Sequence, residues 1–189
     1  MRASSLRRSL LAAAALALAV AAPARAELRI SDLAVFLNDQ EVTVHVVLLG
    51  AVPDGFQEGI QGGIPAHVRF TVELWQYKRY WPDQRVTTKV VERSLVYNVV
   101  TKEFRVASLK GETRPVHITR DPRDAQRVLS ELRGLKMTPA SALDPSAVIY
   151  VRVDAEAALN GENTFLARMT GTAEQTSRRS DYRTIQRVQ

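Results

Sequence analysis

A mainly β, antiparallel two-layer domain of the β-sandwich type, with one amphipathic helix, is the fold class this chain predicts, and three observations carry it. Apolar and polar residues alternate with a period of two in several separate runs, turn chemistry falls between the runs, and a single segment switches to three-and-four spacing. Seven or eight strands that each need a buried face, with one helix to cover an edge or end, suit two packed layers. An open α+β antiparallel sheet is the alternative arrangement of the same elements.

The elements follow in chain order. Leu28, Ile30, Leu33, Val35 and Leu37 alternate imperfectly up to the turn residues Asn38-Asp39, and Val42, Val44, Val46 and Leu48 then share a face opposite Thr43, His45 and Val47. These two runs predict a hairpin. Phe56 and Ile60, four apart between glycines, predict a short helical turn or loop within Pro53–Gly63. Val68, Phe70, Val72 and Leu74 alternate against Arg69, Thr71, Glu73 and Trp75, a half-buried strand that runs into Trp81-Pro82-Asp83. Arg85–Tyr97 returns as a strand whose alternation breaks near Val90-Val91, where a bulge is expected.

Phe104, Val106 and Leu109 predict a strand before Lys110-Gly111, and Val116 and Ile118 a short one after it. Asp121 suits an N-cap and Pro122 the first helical position; Ala125, Val128, Leu129, Leu132 and Leu135 then share one face, with Arg133-Gly134 as the stop. Ala147–Ala158 is the last clear strand, and Asn160-Gly161 predicts a tight turn from which Thr164–Thr172 pairs back.

The chain of 189 residues has the length of one domain. Residues 1–26 read as a cleaved secretory signal: Arg2, Arg7 and Arg8 precede the apolar run Leu10–Ala22, and Ala24-Arg25-Ala26 is a small-x-small cleavage site. That run is too short for a membrane span, which needs about 20 residues. Arg7-Arg8 leaves general and twin-arginine export both open. Residues 27–175 are then the single β-rich domain, and residues 176–189 a basic polar tail or an edge strand around Tyr182. With no cysteine the chain has no site for lipoprotein acylation and no disulfide, so its stability rests on buried apolar area. The expected location is periplasmic.

The net charge of +6 is mostly terminal. The four arginines of residues 1–26 account for +4, and residues 175–189 carry Arg178, Arg179, Arg183 and Arg187 against Asp181, leaving residues 27–174 at −1. A domain this close to neutral lacks the clustered cations of a nucleic-acid surface.

Catalytic signals are sparse. His45, His67 and His117 fall on three different expected strands, without the convergent spacing that a zinc site requires, so no metal and no cofactor is expected. No nucleophile elbow, Ser-x-x-Lys motif or phosphate cradle is present. Carboxylate pairs such as Asp83 with Glu92, or Asp154 with Glu156, read as solvated strand edges. The segment that stands out is Trp75, Tyr77, Tyr80 and Trp81, interleaved with Lys78 and Arg79 and leading to Asp83. It suits either an exposed platform for a peptide, glycan or membrane interface, or a hairpin whose rings pack across strands.

Gly63-Ile64-Pro65, Arg69 to Trp75, Trp81-Pro82-Asp83 with Val86, Leu95-Val96-Tyr97-Asn98 and Thr101 to Val106 together resemble the DUF4390 family of exported proteobacterial proteins. The resemblance spans roughly Leu28 to Tyr182 and is strongest from Ile64 to Val106. It implies no activity and no functional residues; association with nitrogen-regulation-type sensor kinases is the lead it offers. Many relatives are aromatic-rich before a terminal Trp-Tyr pair, where this chain has Ser180-Asp181-Tyr182-Arg183.

Three functions are therefore expected in order: a non-enzymatic periplasmic interaction module that docks on an envelope or membrane protein through a strand edge or the aromatic hairpin; a periplasmic lipid or small-molecule binder; and an envelope hydrolase whose site the sequence does not reveal.

Overall fold

The computed structural model describes residues 27–37, 40–159, 173–181 and 183–184. Chain order is β1 (Arg29–Leu37), β2 (Glu41–Leu49), α1 (Asp54–Gln61), β3 (Ala66–Gln76), β4 (Gln84–Asn98), β5 (Glu103–Lys110), β6 (His117–Thr119), α2 (Pro122–Ser130), β7 (Glu131–Pro139), β8 (Val148–Leu159), β9 (Ala173–Arg179) and β10 (Arg183–Thr184). A three-stranded sheet, β1-β2-β7, faces a larger one ordered β8-β3-β4-β5-β6, with β9 and β10 both on the outer edge of β8. Every pairing is antiparallel. The mainly β two-layer fold is as the alternation predicts, with two helices among the described residues in place of one.

The period of two sorts residues face by face. Val42, Val44, Val46 and Leu48 of β2 are buried, as are Val68, Phe70, Val72 and Leu74 of β3 and Ile149, Val151, Val153, Ala155 and Ala157 of β8. Together they form the core between the sheets. Each fully buried Val, Leu or Phe among them contributes roughly 1.5–3 kcal/mol relative to exposure. The alternate β3 residues Arg69, Thr71, Glu73 and Trp75 face outward, where Arg69 pairs with Glu92 and Arg85 with Glu73. An antiparallel sheet tolerates one such wetted face.

Two expectations are changed by the structure. The β3–β4 pairing is regular through Val90-Val91; the irregularities lie instead at Val86, opposite Leu74/Trp75, and at Leu109, opposite Glu92/Arg93. What interrupts the apolar pattern is Arg93, which stands between Val91 and Leu95 on the core face and is 1% exposed. The helix begins at the Asp121 cap, whose side chain accepts from Arg123 N, but ends at Ser130, so Leu132 and Leu135 belong to strand β7. That strand completes the small sheet by pairing with β2, and Gly134, at φ 65°, sits where the register shifts between Val44 and Val46. The Asn38-Asp39 and Asn160-Gly161 turns and the strand expected over Thr164–Thr172 lie outside the described residues; among the described residues Ala173–Arg179 pairs with β8. The large sheet thus continues past residue 175, through β9 to Arg179 and through the short β10.

Two arginines tie the sheets together. Arg93 of β4 donates to Val128 O and Glu131 O, both at 2.7 Å, while Glu112 grips the same guanidinium at 2.5 and 2.9 Å. It therefore holds the last turn of α2 and the first residue of β7 against the large sheet. On the other side Arg178 of β9 donates to Ile30 O at 3.2 Å and Ser31 O at 2.7 Å. Ser31 is the extra residue where the β1–β2 register shifts, so its carbonyl is available to that arginine.

His67, on the outer face of β3, has a buried Nδ1 with no hydrogen-bond partner. Burial pushes its pKa below the ordinary 6.5, against a raising effect of Glu92 and with a smaller lowering one from Arg69. The unfolded chain then takes up a proton that the folded chain resists, so stability is lost as pH falls below 6.5 toward the folded value. Urea unfolding from about pH 7.5 to about pH 5.5 is expected to show this slope, and His67→Gln to flatten it. An unchanged slope in His67→Gln would assign the effect to other groups.

Candidate functional site

The five residues singled out in the sequence meet at one end of the large sheet, where β3 leaves for β4. The structure divides them into a braced base and an exposed tip. Trp75 lies opposite Arg85 of β4 and Tyr150 of β8, because both neighbours pair with β3 in register there. Its ring is parallel to that of Tyr150, with centroids 6.3 Å apart and an interplanar angle of 7°, an offset stack. Arg85 Cζ lies 6.0 Å from the Trp75 ring centroid and Arg179 Cζ 3.7 Å from that of Tyr150, so a cation flanks each ring. Trp75 Nε1 donates to Glu73 at 3.0 Å.

Asp83 closes the loop. Its carboxylate accepts from Lys78 N at 3.1 Å and from Tyr150 Oη at 2.8 Å, and lies 3.5 Å from Arg179. The Lys78 N–H, then the Tyr150 hydroxyl and the Arg179 charge, hold its pKa below the usual carboxylate range. Tyr77 N donates to Val148 O at 2.8 Å, extending the β3–β8 pairing beyond the end of β3. Above this base Tyr80 and Trp81 are 80% and 78% exposed, and Tyr77 is 42% exposed. Arg79 lies over the Tyr80 ring at 5.4 Å. Trp75 thus packs across strands, and Tyr80 and Trp81 face solvent.

Tyr150, Arg85 and Arg179 were not singled out by sequence reasoning. Their part depends on the β4-β3-β8-β9 strand order, for which one sequence carries no signal.

The other candidates remain apart. His45, on β2, packs against Phe36 with centroids 4.7 Å apart. His117 Nε2 lies 2.6 Å from Asp124 Oδ2, and Arg127 bonds the other oxygen, tying β6 to α2. The His117 bond, then that of Arg127, lowers the Asp124 pKa. Glu92 is engaged by Arg69 and Asp154 by Arg152. Among the described residues no group of three or more His, Asp or Glu side chains comes together as a metal site, and no helix is long and apolar enough to cross a membrane.

Fold and hairpin together define a two-sheet antiparallel β-domain that presents aromatic side chains from a braced loop at one sheet end. The chain belongs to the family described as domain of unknown function DUF4390, whose model matches residues 25–161. No curated protein and no solved structure matches it.

Proposed function

We propose that this protein is a non-enzymatic docking module of the periplasm, exported by residues 1–26 and engaging the external domain of a membrane protein through the Tyr77–Asp83 hairpin. The observation that supports it is the contrast within that loop. Tyr80 and Trp81 are among the most exposed large apolar side chains described, yet the loop beneath them is fastened by Asp83, Tyr150 and the Trp75 stack. Aromatic anchors that are rigid before contact lose little freedom on binding, and such residues dominate interface energetics. A sensor kinase, the lead offered by the family resemblance, is the first partner to test.

A photo-crosslinking residue in place of Trp81, introduced in living cells, is expected to capture one membrane protein, whereas the same residue at Thr71 on the sheet face is not. With that partner's external domain purified, Trp81→Ala is expected to weaken binding by roughly 1–3 kcal/mol while leaving the unfolding midpoint unchanged. Equal capture from Thr71, or retained affinity in Trp81→Ala, would overturn the reading. So would lipid vesicles alone retaining the protein through Trp81, since that outcome makes the hairpin a bilayer anchor.

A further inference from the structure

At the far end of β4 from the hairpin, the inner face of the large sheet carries a cleft between α1 and α2. It measures about 320 Å³, with Leu95, Phe104, Val52 and Ile60 as its apolar lining and Arg123 on its α2 side. A wider cleft of about 550 Å³ adjoins it, sharing Gln61 and Phe104, and adds Tyr97, Lys102 and Arg120. Tyr97 and Phe104 pack together with centroids 4.7 Å apart, giving the joined groove an aromatic wall.

Charge selects the occupant. Three cations line the two clefts and no carboxylate does. Arg120 is bonded to Glu103 at 3.1 Å, whereas Lys102 and Arg123 make no ion pair among the described residues. Lys102 also occupies a costly position. Its φ is 59° in the β4–β5 turn, the left-handed conformation that glycine adopts without strain, and the turn itself is fixed by Asn98. A lysine is thus placed at the groove where a glycine would fit the backbone better. Residues 1–26 and 175–189 are both basic, so a cationic rim disfavours the chain's own ends as occupants.

We propose that this groove binds a single-chain carboxylate amphiphile, a fatty acid, with its acyl chain over Leu95 and Phe104 and its carboxylate among Lys102, Arg120 and Arg123. An apolar lining with a few convergent charged groups is the usual make-up of a small-ligand site, and the groove falls within the usual volume range. The assignment stands apart from the hairpin, since it uses other residues at the opposite end of β4.

The test is calorimetric titration of the full mature chain with decanoate and, separately, with decyltrimethylammonium, alongside amide chemical-shift mapping. Decanoate is expected to saturate at one equivalent below its micelle concentration and to shift Leu95 and Phe104, while the cationic amphiphile does not saturate. Lys102→Glu with Arg123→Glu is expected to lower decanoate affinity about tenfold or more. Lys102→Gly relieves the turn, so it should keep or raise the unfolding midpoint and still weaken decanoate. Failure to saturate, equal binding of the cation, unchanged affinity in both sets of variants, or shifts confined to the hairpin would each overturn the proposal.

Discussion

Arg93→Ala is expected to lose about 3 kcal/mol or more of stability, read as a fall in the urea midpoint with an unchanged slope. The guanidinium is 1% exposed and serves Glu112, Val128 O and Glu131 O together. Alanine removes a partner from all three at once. The cost comes mainly from leaving acceptors without donors inside the protein rather than from the intrinsic worth of the pair, since a wholly apolar replacement of a buried pair is often neutral. Two companion variants separate these effects. Glu112→Gln is expected to cost only about 1 kcal/mol, because the Glu112 side chain is 20% exposed and both carbonyls keep their donor. Arg93→Lys is expected to rescue little, because an ammonium lacks the planar fork that reaches two carbonyls and a carboxylate simultaneously. A loss below about 1 kcal/mol in Arg93→Ala would mean that water replaces the guanidinium and that apolar contact alone keeps the sheets together.

Gly111→Ala is the second large effect, at about 3 kcal/mol, and it acts through the backbone. Gly111 has φ 84°, and a Cβ there would meet Val90 O at 1.9 Å and Val91 Cα at 3.1 Å. Neither atom belongs to a flexible side chain, so the β4–β5 edge has to separate or the turn has to rebuild. Gly55 gives the control. It lies in the first turn of α1 with nothing within 4 Å of a Cβ, and Gly55→Ala is expected to be neutral or to stabilise by up to about 1 kcal/mol. Thermal unfolding of both variants distinguishes steric strain from a general intolerance of glycine replacement, and similar midpoints for the two would contradict the geometry.

The alternation of β2 and β3 was legible in the sequence because each of those strands buries one face, so period two survives intact, whereas in β8 the consecutive burial of Ile149, Tyr150 and Val151 blurs it. The misreading of residues 131–137 has an equally physical origin. Leu129, Leu132 and Leu135 satisfy a helical spacing, while Leu132, Leu135 and Met137 satisfy a strand bent at Gly134; the choice between them is made by β2, which needs a partner along that edge. Arg93 left a trace as a gap in the apolar pattern of β4, and local spacing does not distinguish a bulge from a buried charge with distant acceptors. Of the candidate site, composition alone gave the aromatic cluster. The division into packed Trp75 and exposed Tyr80 and Trp81 required Tyr150 and Arg179, brought there by strand order. Lys102 carried no sequence signal, because its meaning lies in a backbone angle.

The contact between Arg178 and the β1 carbonyls has a consequence for the order of assembly. Its partners stand 148 and 147 positions apart in the chain, so one side of the sandwich is fastened only after nearly all of the polypeptide is present. Until then β1 and the outer edge of β8 both lack the neighbour that β9 supplies, and bare strand edges recruit other chains. A chain synthesised from its amino terminus passes through that interval, exposed for as long as its last residues are still being added.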